Sequence, residues 1–161
     1  MKIPRVLLAA VVLPLAFAAG CGRPAAVSAS APPPKHEHHP LHGGTPVVLG
    51  DEVYHLELVR DPAAGLLQAY VFDGELENFI RSNSPAIEIE AVVDGQPRLL
   101  TLRAVANRAT GETVGDTALF EAQADWLKTT GDFDATLHSV TIRGSTFSGV
   151  KFNFPRGNDT D

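Results

Sequence analysis

The sequence predicts an all-β protein, an antiparallel immunoglobulin-like β-sandwich of seven or eight strands. Short runs of alternating apolar and polar residues recur between residues 45 and 155, as in Ile87-Glu88-Ile89-Glu90. Turn dipeptides such as Asp94-Gly95 separate these runs. Because the polar faces carry charges, we expect antiparallel sheets with one solvated side. A small closed barrel is the alternative architecture.

The strands follow from these patterns in chain order. In the second run, Tyr54, Leu56 and Leu58 share one face, and His55 and Glu57 share the other, partly exposed one. The predicted strands cover residues 45–49, 53–60, 66–72, 87–93, 98–106, 118–125, 136–143 and 147–154. Apolar residues at helical spacing predict a helical turn at residues 75–81, and residues 126–128 are a second candidate.

The remaining residues divide into three segments outside one β domain at residues 45–155, which is long enough to form its own core. Residues 1–20 have a basic start, Lys2 and Arg5, followed by an apolar run that is too short for an ordinary membrane span. We expect a signal peptide there. Residues 21–44 form a linker rich in Pro, Ala, Ser and His, and residues 156–161 are expected to be a disordered tail.

The end of the apolar run carries a modification motif. Ala18, Ala19 and Gly20 before Cys21 resemble the lipobox of bacterial lipoproteins, although Ala18 stands where leucine is usual. The resemblance implies that Cys21 is acylated, becomes the first residue after cleavage, and anchors the chain in a bilayer. We therefore expect a periplasm-facing envelope protein, and Gly22 slightly favours the outer membrane.

Composition excludes several classes of protein. Cys21 is the only cysteine, so the predicted domain has no disulfide or Cys-based metal site. Without Lys2 and Arg5, 11 of the 13 basic residues remain against 19 acidic ones, which gives a charge of −8. This balance argues against nucleic acid as a partner.

Four of the six histidines lie within residues 36–42, which we call the histidine segment. Imidazole nitrogens suit Zn, Cu(II) and Ni. If residues 45–49 pair with 53–58 as a hairpin, the chain near His42 returns towards His55 and Glu57, and Gly43 and Gly44 would allow close approach. The candidate ligands are His38, His39, His42 and His55, with His36 and Glu57 as auxiliaries. Alternatively, the histidine segment is simply solvated, since a flexible tract binds metal weakly.

A longer stretch adds a second resemblance. HPLHGGTPVVLGDEVYHLELV, followed by LLQAYVFDG, resembles the small β domain of periplasmic adaptor subunits of heavy-metal efflux pumps. It is also similar to small bacterial envelope lipoproteins of unassigned role. This resemblance covers residues 39–74 and implies metal handling. These residues include no counterpart of the adaptor's hairpin, lipoyl-like and barrel parts, so we do not expect the chain to act as an adaptor itself.

Motifs for catalysis are missing. HEHHP does not have the HExxH spacing, and Pro40 would break the helix that such a motif needs. No GxSxG elbow is present. We expect no enzyme, but a lipid-anchored protein that binds transition-metal ions for capture or delivery to an efflux or resistance partner. The alternative is a structural or protein-interaction lipoprotein whose histidines are incidental.

Overall fold

The computed structural model describes residues 39–159, and it confirms an all-β fold in this part of the chain. The eight strands are β1 Thr45–Leu49, β2 Tyr54–Asp61, β3 Leu66–Asp73, β4 Ala86–Val93, β5 Gln96–Ala104, β6 Leu119–Gln123, β7 Phe133–Ile142 and β8 Ser145–Phe154. A 3₁₀ turn at Asp125–Lys128 confirms the second helical candidate. The predicted signal peptide and most of the linker lie outside the described residues.

All eight strands belong to one antiparallel sheet in the order β1-β2-β3-β6-β5-β4-β7-β8. Five of the seven neighbouring pairs join strands that are consecutive in the chain, among them the predicted β1–β2 hairpin, in which Val47 lies opposite Leu56. The β4–β5 hairpin turns at Asp94 and Gly95, whose φ angles are 52° and 72°. Positive φ at both positions is the two-residue turn that matches the twist of adjacent strands, as the Asp-Gly dipeptide predicts.

The inward faces of the strands form one hydrophobic core. Alternate residues such as Leu56, Leu58, Ile87 and Ile89 are fully buried, because side chains along a strand point to opposite faces. Phe120 on β6 is also fully buried and belongs to the same cluster. Truncating one of these buried aliphatic side chains to alanine is expected to cost about 2–5 kcal/mol.

The chain after β8 brings the two outer strands of the sheet together. The Asn158 amide imitates a strand partner of β1: Oδ1 accepts from the Val48 N–H (2.7 Å), and Nδ2 donates to the Val48 carbonyl (3.1 Å). Thr45 Oγ1 donates to the Pro155 carbonyl (3.2 Å). The sheet is therefore nearly closed. The expectation that the polar tail does not pack is wrong as far as Asn158, because its side chain satisfies backbone groups of an edge strand.

The helical turn predicted at residues 75–81 is wrong. The Asp73 side chain holds this segment in a non-helical conformation. Its Oδ1 accepts hydrogen bonds from the N–H groups of Glu77 (3.0 Å) and Asn78 (3.2 Å). Phe79 then forms a β-bridge with Phe72. A short acidic side chain at a strand end competes with helix formation by binding nearby backbone N–H groups.

Candidate functional site

The segment that enters the β domain, residues 39–44, lies against β2, and we call it the neck. The neck contains a tight turn in which the Gly43 N–H donates to the Pro40 carbonyl (3.1 Å), and Gly43 has a φ of +66°. A Cβ on Gly44 would lie 2.5 Å from the Leu58 carbonyl oxygen and 2.9 Å from Cγ of Glu57. Glycine is therefore required at position 44. This agrees with the close approach to β2 that the sequence predicts near Gly43 and Gly44.

Glu57 is the buried carboxylate that ties the neck to β2. Its side chain is fully buried. Oε1 accepts from the backbone N–H groups of His42 (2.7 Å) and Gly44 (2.9 Å), and Oε2 lies 2.8 Å from Nδ1 of His42. An unpaired buried carboxylate costs several kcal/mol. Here both carboxylate oxygens have hydrogen-bond donors in the neck. These donors replace the water molecules that Glu57 loses on burial.

The imidazole of His42 is held on two sides. Its ring stacks on Tyr70, with ring centroids 4.0 Å apart and an interplanar angle of 12°, and Phe79 lies 6.0 Å away. Of the two neutral tautomers of His42, the carboxylate beside Nδ1 favours the one with its proton on that nitrogen. Nε2 is then the lone-pair nitrogen, and no residue of the described range hydrogen-bonds to it. Because the side chain is 34% exposed, His42 is suited to bind an electrophile such as a metal ion.

His55 lies differently from its prediction. Both His55 and Glu57 are fully buried, so the partly exposed strand face predicted for them is wrong. The neck covers Glu57, whereas Nδ1 of His55 lies 3.2 Å from the Asp73 carbonyl oxygen in the turn after β3. His55 therefore contacts the β3 turn and Glu57 contacts the neck, although the two residues are neighbours on one face of β2.

The other predicted metal ligands are dispersed or outside the described range. His39 is exposed at the start of the neck. His36 and His38, like the predicted lipidation site Cys21, precede the described residues. Within residues 39–159, no group of three or more His, Cys, Asp or Glu side chains is arranged to hold a metal ion. The structure brings only His42 and Glu57 of the predicted set into direct contact in this range.

His138 and its neighbours form a separate polar group on the outer face of β4 and β7. Nδ1 lies 3.9 Å from Oε2 of Glu88, and Nε2 lies 3.9 Å from Oε2 of Glu90. All three side chains are more than 40% exposed. Such exposed pairs contribute little to stability. His138 is thus an exposed strand residue that lies apart from the neck.

Tyr70 and Asp73 belong to the site, although sequence reasoning gave them no role there. Burial raises the pKa of the Tyr70 hydroxyl, and the negative charges of Glu121 and Glu57 raise it further. For Asp73, burial alone would raise the pKa. Hydrogen bonds from the Asn78 side chain and from the backbone of Asn78, Glu77 and Glu75 outweigh this effect and hold the pKa of Asp73 below its ordinary value.

The sequence contains part of the information that places Tyr70 beside His42. The β2–β3 hairpin places Tyr70 opposite Glu57, so a histidine that reaches Glu57 must also meet the Tyr70 ring. The alternation of apolar and polar residues in 66–72 predicts which face of the strand Tyr70 occupies. It does not predict the register of the β2–β3 hairpin. That register depends on the turn at residues 62–65, and this turn fixes the cross-strand neighbour.

Fold and site thus define an all-β domain with a histidine–glutamate pair at its entry. Comparison with protein-family models finds no match, and comparisons with curated proteins and with solved structures find none either. Within residues 39–159, no helix has the length and apolar character needed to cross a membrane.

Proposed function

We propose that this chain is an exported, lipid-anchored envelope protein that binds transition-metal ions through its histidine segment. Its role would be capture of the ion or delivery to an efflux or resistance partner. The contact between Nδ1 of His42 and the buried carboxylate of Glu57 carries this proposal. Histidines that bind metal usually give their second ring nitrogen to a carboxylate or carbonyl, which fixes the ring and its tautomer.

The proposed site uses Nε2 of His42 as its fixed ligand. His39 lies three positions earlier, and His36 and His38 precede His39. These imidazoles are close enough to His42 in sequence to supply further ligands to one ion. Glu57 orients His42 instead of serving as the auxiliary ligand predicted from the sequence. His55 takes no part in this version of the site, since it contacts the β3 turn. Imidazole ligands favour Zn, Cu(II) or Ni.

The envelope location rests on the N-terminal sequence. The basic start, the apolar run and the residues Ala18-Ala19-Gly20-Cys21 support export and acylation of Cys21. The resemblance of residues 39–74 to efflux-adaptor β domains and to small envelope lipoproteins supports a metal-related role. His42, Glu57 and Tyr70, which form the observed contact, all lie within that stretch.

For the architecture, we infer a rolled, barrel-like sheet in place of the immunoglobulin-like sandwich expected from the sequence. The continuous order of all eight strands favours a single sheet. The hydrogen bonds between Asn158 and Val48 favour near-closure of that sheet. The tether and signal peptide stay predictions from the sequence.

Calorimetry of the full chain in detergent with Zn, Cu(II) or Ni tests the metal proposal. We expect one site with a dissociation constant below about 100 μM. Because binding requires neutral imidazole, affinity should fall as the pH is lowered and protons compete with the metal for the ring nitrogens. Glu57→Gln should weaken binding by about 10- to 100-fold through loss of ring orientation. His138→Ala, which changes an exposed histidine far from the neck in sequence, is the matched control.

A protein-interaction lipoprotein is the second candidate function. The same contacts favour it, because the stacking of His42 on Tyr70 and the bonds from Glu57 also fix the entry of the chain into the domain. In this case the histidines only position the β domain above a membrane. Binding that is unchanged after replacement of His38, His39 and His42 by alanine would favour this candidate over metal capture.

Mass spectrometry of the protein purified from membranes tests the anchor separately. We expect cleavage after Gly20 and a diacylglycerol-modified Cys21. Cys21→Ser should abolish the lipid mass and release the protein from the membrane fraction. A chain that stays membrane-bound and unmodified after this substitution contradicts the anchoring proposal and leaves the metal proposal intact.

A further inference from the structure

A cavity of about 340 Å³ lies beside the histidine–glutamate pair. Tyr70 of β3 and Phe79, both neighbours of the His42 ring, belong to its lining. Leu119 at the start of β6 also lines it, and the β5–β6 loop contributes polar residues such as Asn107. This volume lies within the range of pockets that bind small organic molecules.

The apolar part of the lining is held open by the surrounding structure. Phe79 is 51% exposed, although it is a large aromatic residue. It is held in place by the bridge to Phe72, whose ring centroid lies 4.6 Å away, and the Tyr70 centroid lies 6.1 Å away. Asp73 fixes the preceding turn through the N–H of Asn78. The bridge fixes the backbone at Phe79 with the side chain on the exposed side, so its ring is available to a ligand.

Arg81 supplies positive charge to the same cavity. Its Nη1 lies 3.0 Å from Oδ2 of Asp116, and its Nη2 donates to the Thr110 carbonyl (2.6 Å). The Arg81 side chain is 41% exposed and that of Asp116 is 56% exposed. An exposed ion pair of this kind contributes little free energy, so an incoming carboxylate can replace Asp116 at low cost. Guanidinium groups bind carboxylates through two parallel hydrogen bonds.

Glu112, the acidic residue in the lining, is occupied within the protein. Oε2 accepts from Thr110 Oγ1 (2.5 Å), and Oε1 accepts from the Ala118 N–H (2.8 Å). These bonds fix the β5–β6 loop, so the wall that carries Asn107 and Thr110 is preformed. Among the lining residues in the described part of the chain, Arg81 is the single cation.

We propose that this cavity binds a small aromatic carboxylate. The ring of the ligand contacts Phe79 and Tyr70, and its carboxylate pairs with Arg81. Aromatic rings stack favourably on one another in offset or tilted arrangements. The charge of Arg81 favours an anion over a neutral aromatic ligand. This site is separate from the proposed metal ligands, although Tyr70 contacts His42 as well.

An NMR titration of the ¹⁵N-labelled full chain in detergent tests the proposal, with phenylacetate as the probe and benzyl alcohol as its neutral counterpart. A ligand of about ten heavy atoms is expected to bind with a dissociation constant of about 1 mM. Shifts should be confined to residues that line the cavity. Benzyl alcohol should bind at least about 5-fold more weakly.

Two substitutions with matched controls localise the site. Phe79→Ala and Arg81→Gln should each weaken phenylacetate binding by about 5-fold or more, and Arg81→Lys should give an intermediate loss. Val114→Ala and Arg108→Gln change exposed residues of the neighbouring loop outside the lining and should leave binding unchanged. Unshifted resonances in the β1–β2 hairpin establish that each variant is folded.

Three results would overturn the proposal. The first is an absence of saturation up to about 20 mM phenylacetate, well above the affinity expected for a ligand of this size. The second is equal binding of benzyl alcohol. The third is a set of shifts located elsewhere on the domain. Each is independent of metal titration, so the two proposals can fail separately.

Discussion

Nδ1 of His42 lies 2.8 Å from Oε2 of Glu57, although 15 positions separate the two residues. The contact joins His42, the last histidine of the linker, to Glu57 on β2, whose side chain is fully buried. It decides how the chain enters the domain. If the histidine segment binds metal, it also decides which ring nitrogen faces the ion.

We predict that Glu57→Gln destabilises the domain by about 1–3 kcal/mol. The amide keeps one acceptor oxygen but presents N–H groups where Glu57 now accepts a hydrogen bond, so a buried donor or acceptor loses its partner. Urea unfolding at pH 7 in the presence of a chelator measures the change. Glu75→Gln, which alters an exposed carboxylate, is the control. Equal urea midpoints for Glu57→Gln and the native chain would show that the pair carries no net stability.

Gly44→Ala should destabilise the domain more than Gly43→Ala. A Cβ added at position 44 would meet the Leu58 carbonyl oxygen at 2.5 Å, so the neck must move away from β2. Gly43 has φ of +66°, but a Cβ added there would meet nothing within 4 Å, so its substitution costs only backbone strain. We expect about 1 kcal/mol at position 43 and at least about 2 kcal/mol at position 44.

Thermal unfolding of the two glycine variants measures this difference. Loss of the neck contact in Gly44→Ala should also remove the upfield ring-current shift that Tyr70 imposes on His42. If Gly43→Ala proves the more damaging change, the close approach of the neck to β2 is not what requires glycine at position 44.

The sequence predicts the local parts of this fold well, because each depends on near neighbours. Alternating residues define the faces of β4, and Asp94-Gly95 defines the turn to β5. The pairing of β3 with β6 joins distant segments and depends on the whole core, so no local pattern reveals it. The non-helical course of residues 75–81 is similar: three hydrogen bonds to Asp73 override apolar residues at helical spacing.

The site was predictable in part for the same reason. The β1–β2 hairpin brings Gly44 beside Glu57, and the sequence predicts this return of the chain. The burial of His55 was not predictable from β2 alone. It follows from the turn after Asp73, which contacts the face of β2 that alternation assigns to solvent.

Asn158→Ala should open one edge of the sheet. The substitution removes both hydrogen bonds to Val48, so the N–H of an edge strand becomes accessible to water. Hydrogen–deuterium exchange at the Val48 amide should become faster by about 5-fold or more, since a lost hydrogen bond is worth about 1 kcal/mol. Asn83→Ala, at an exposed position before β4, is the matched control and should leave exchange at Val48 unchanged. Unaltered exchange in Asn158→Ala would contradict the role of the tail in closing the sheet.

Tyr70 should titrate above its ordinary pKa of about 10, because burial and the negative charges of Glu121 and Glu57 disfavour the phenolate. A raised pKa in the folded state means that the unfolded chain loses this proton more easily. The contribution of Tyr70 to stability is therefore complete below about pH 10 and is lost as the pH rises through the folded-state pKa. Absorbance at 295 nm follows the titration of the two tyrosines, and Tyr70→Phe should remove a transition above pH 10 that Tyr54→Phe leaves in place. Urea midpoints should decline between pH 9 and 11 in the native chain and decline less in Tyr70→Phe. An equal decline in both proteins would mean that neither burial nor the nearby negative charges disfavour the Tyr70 phenolate in the folded chain.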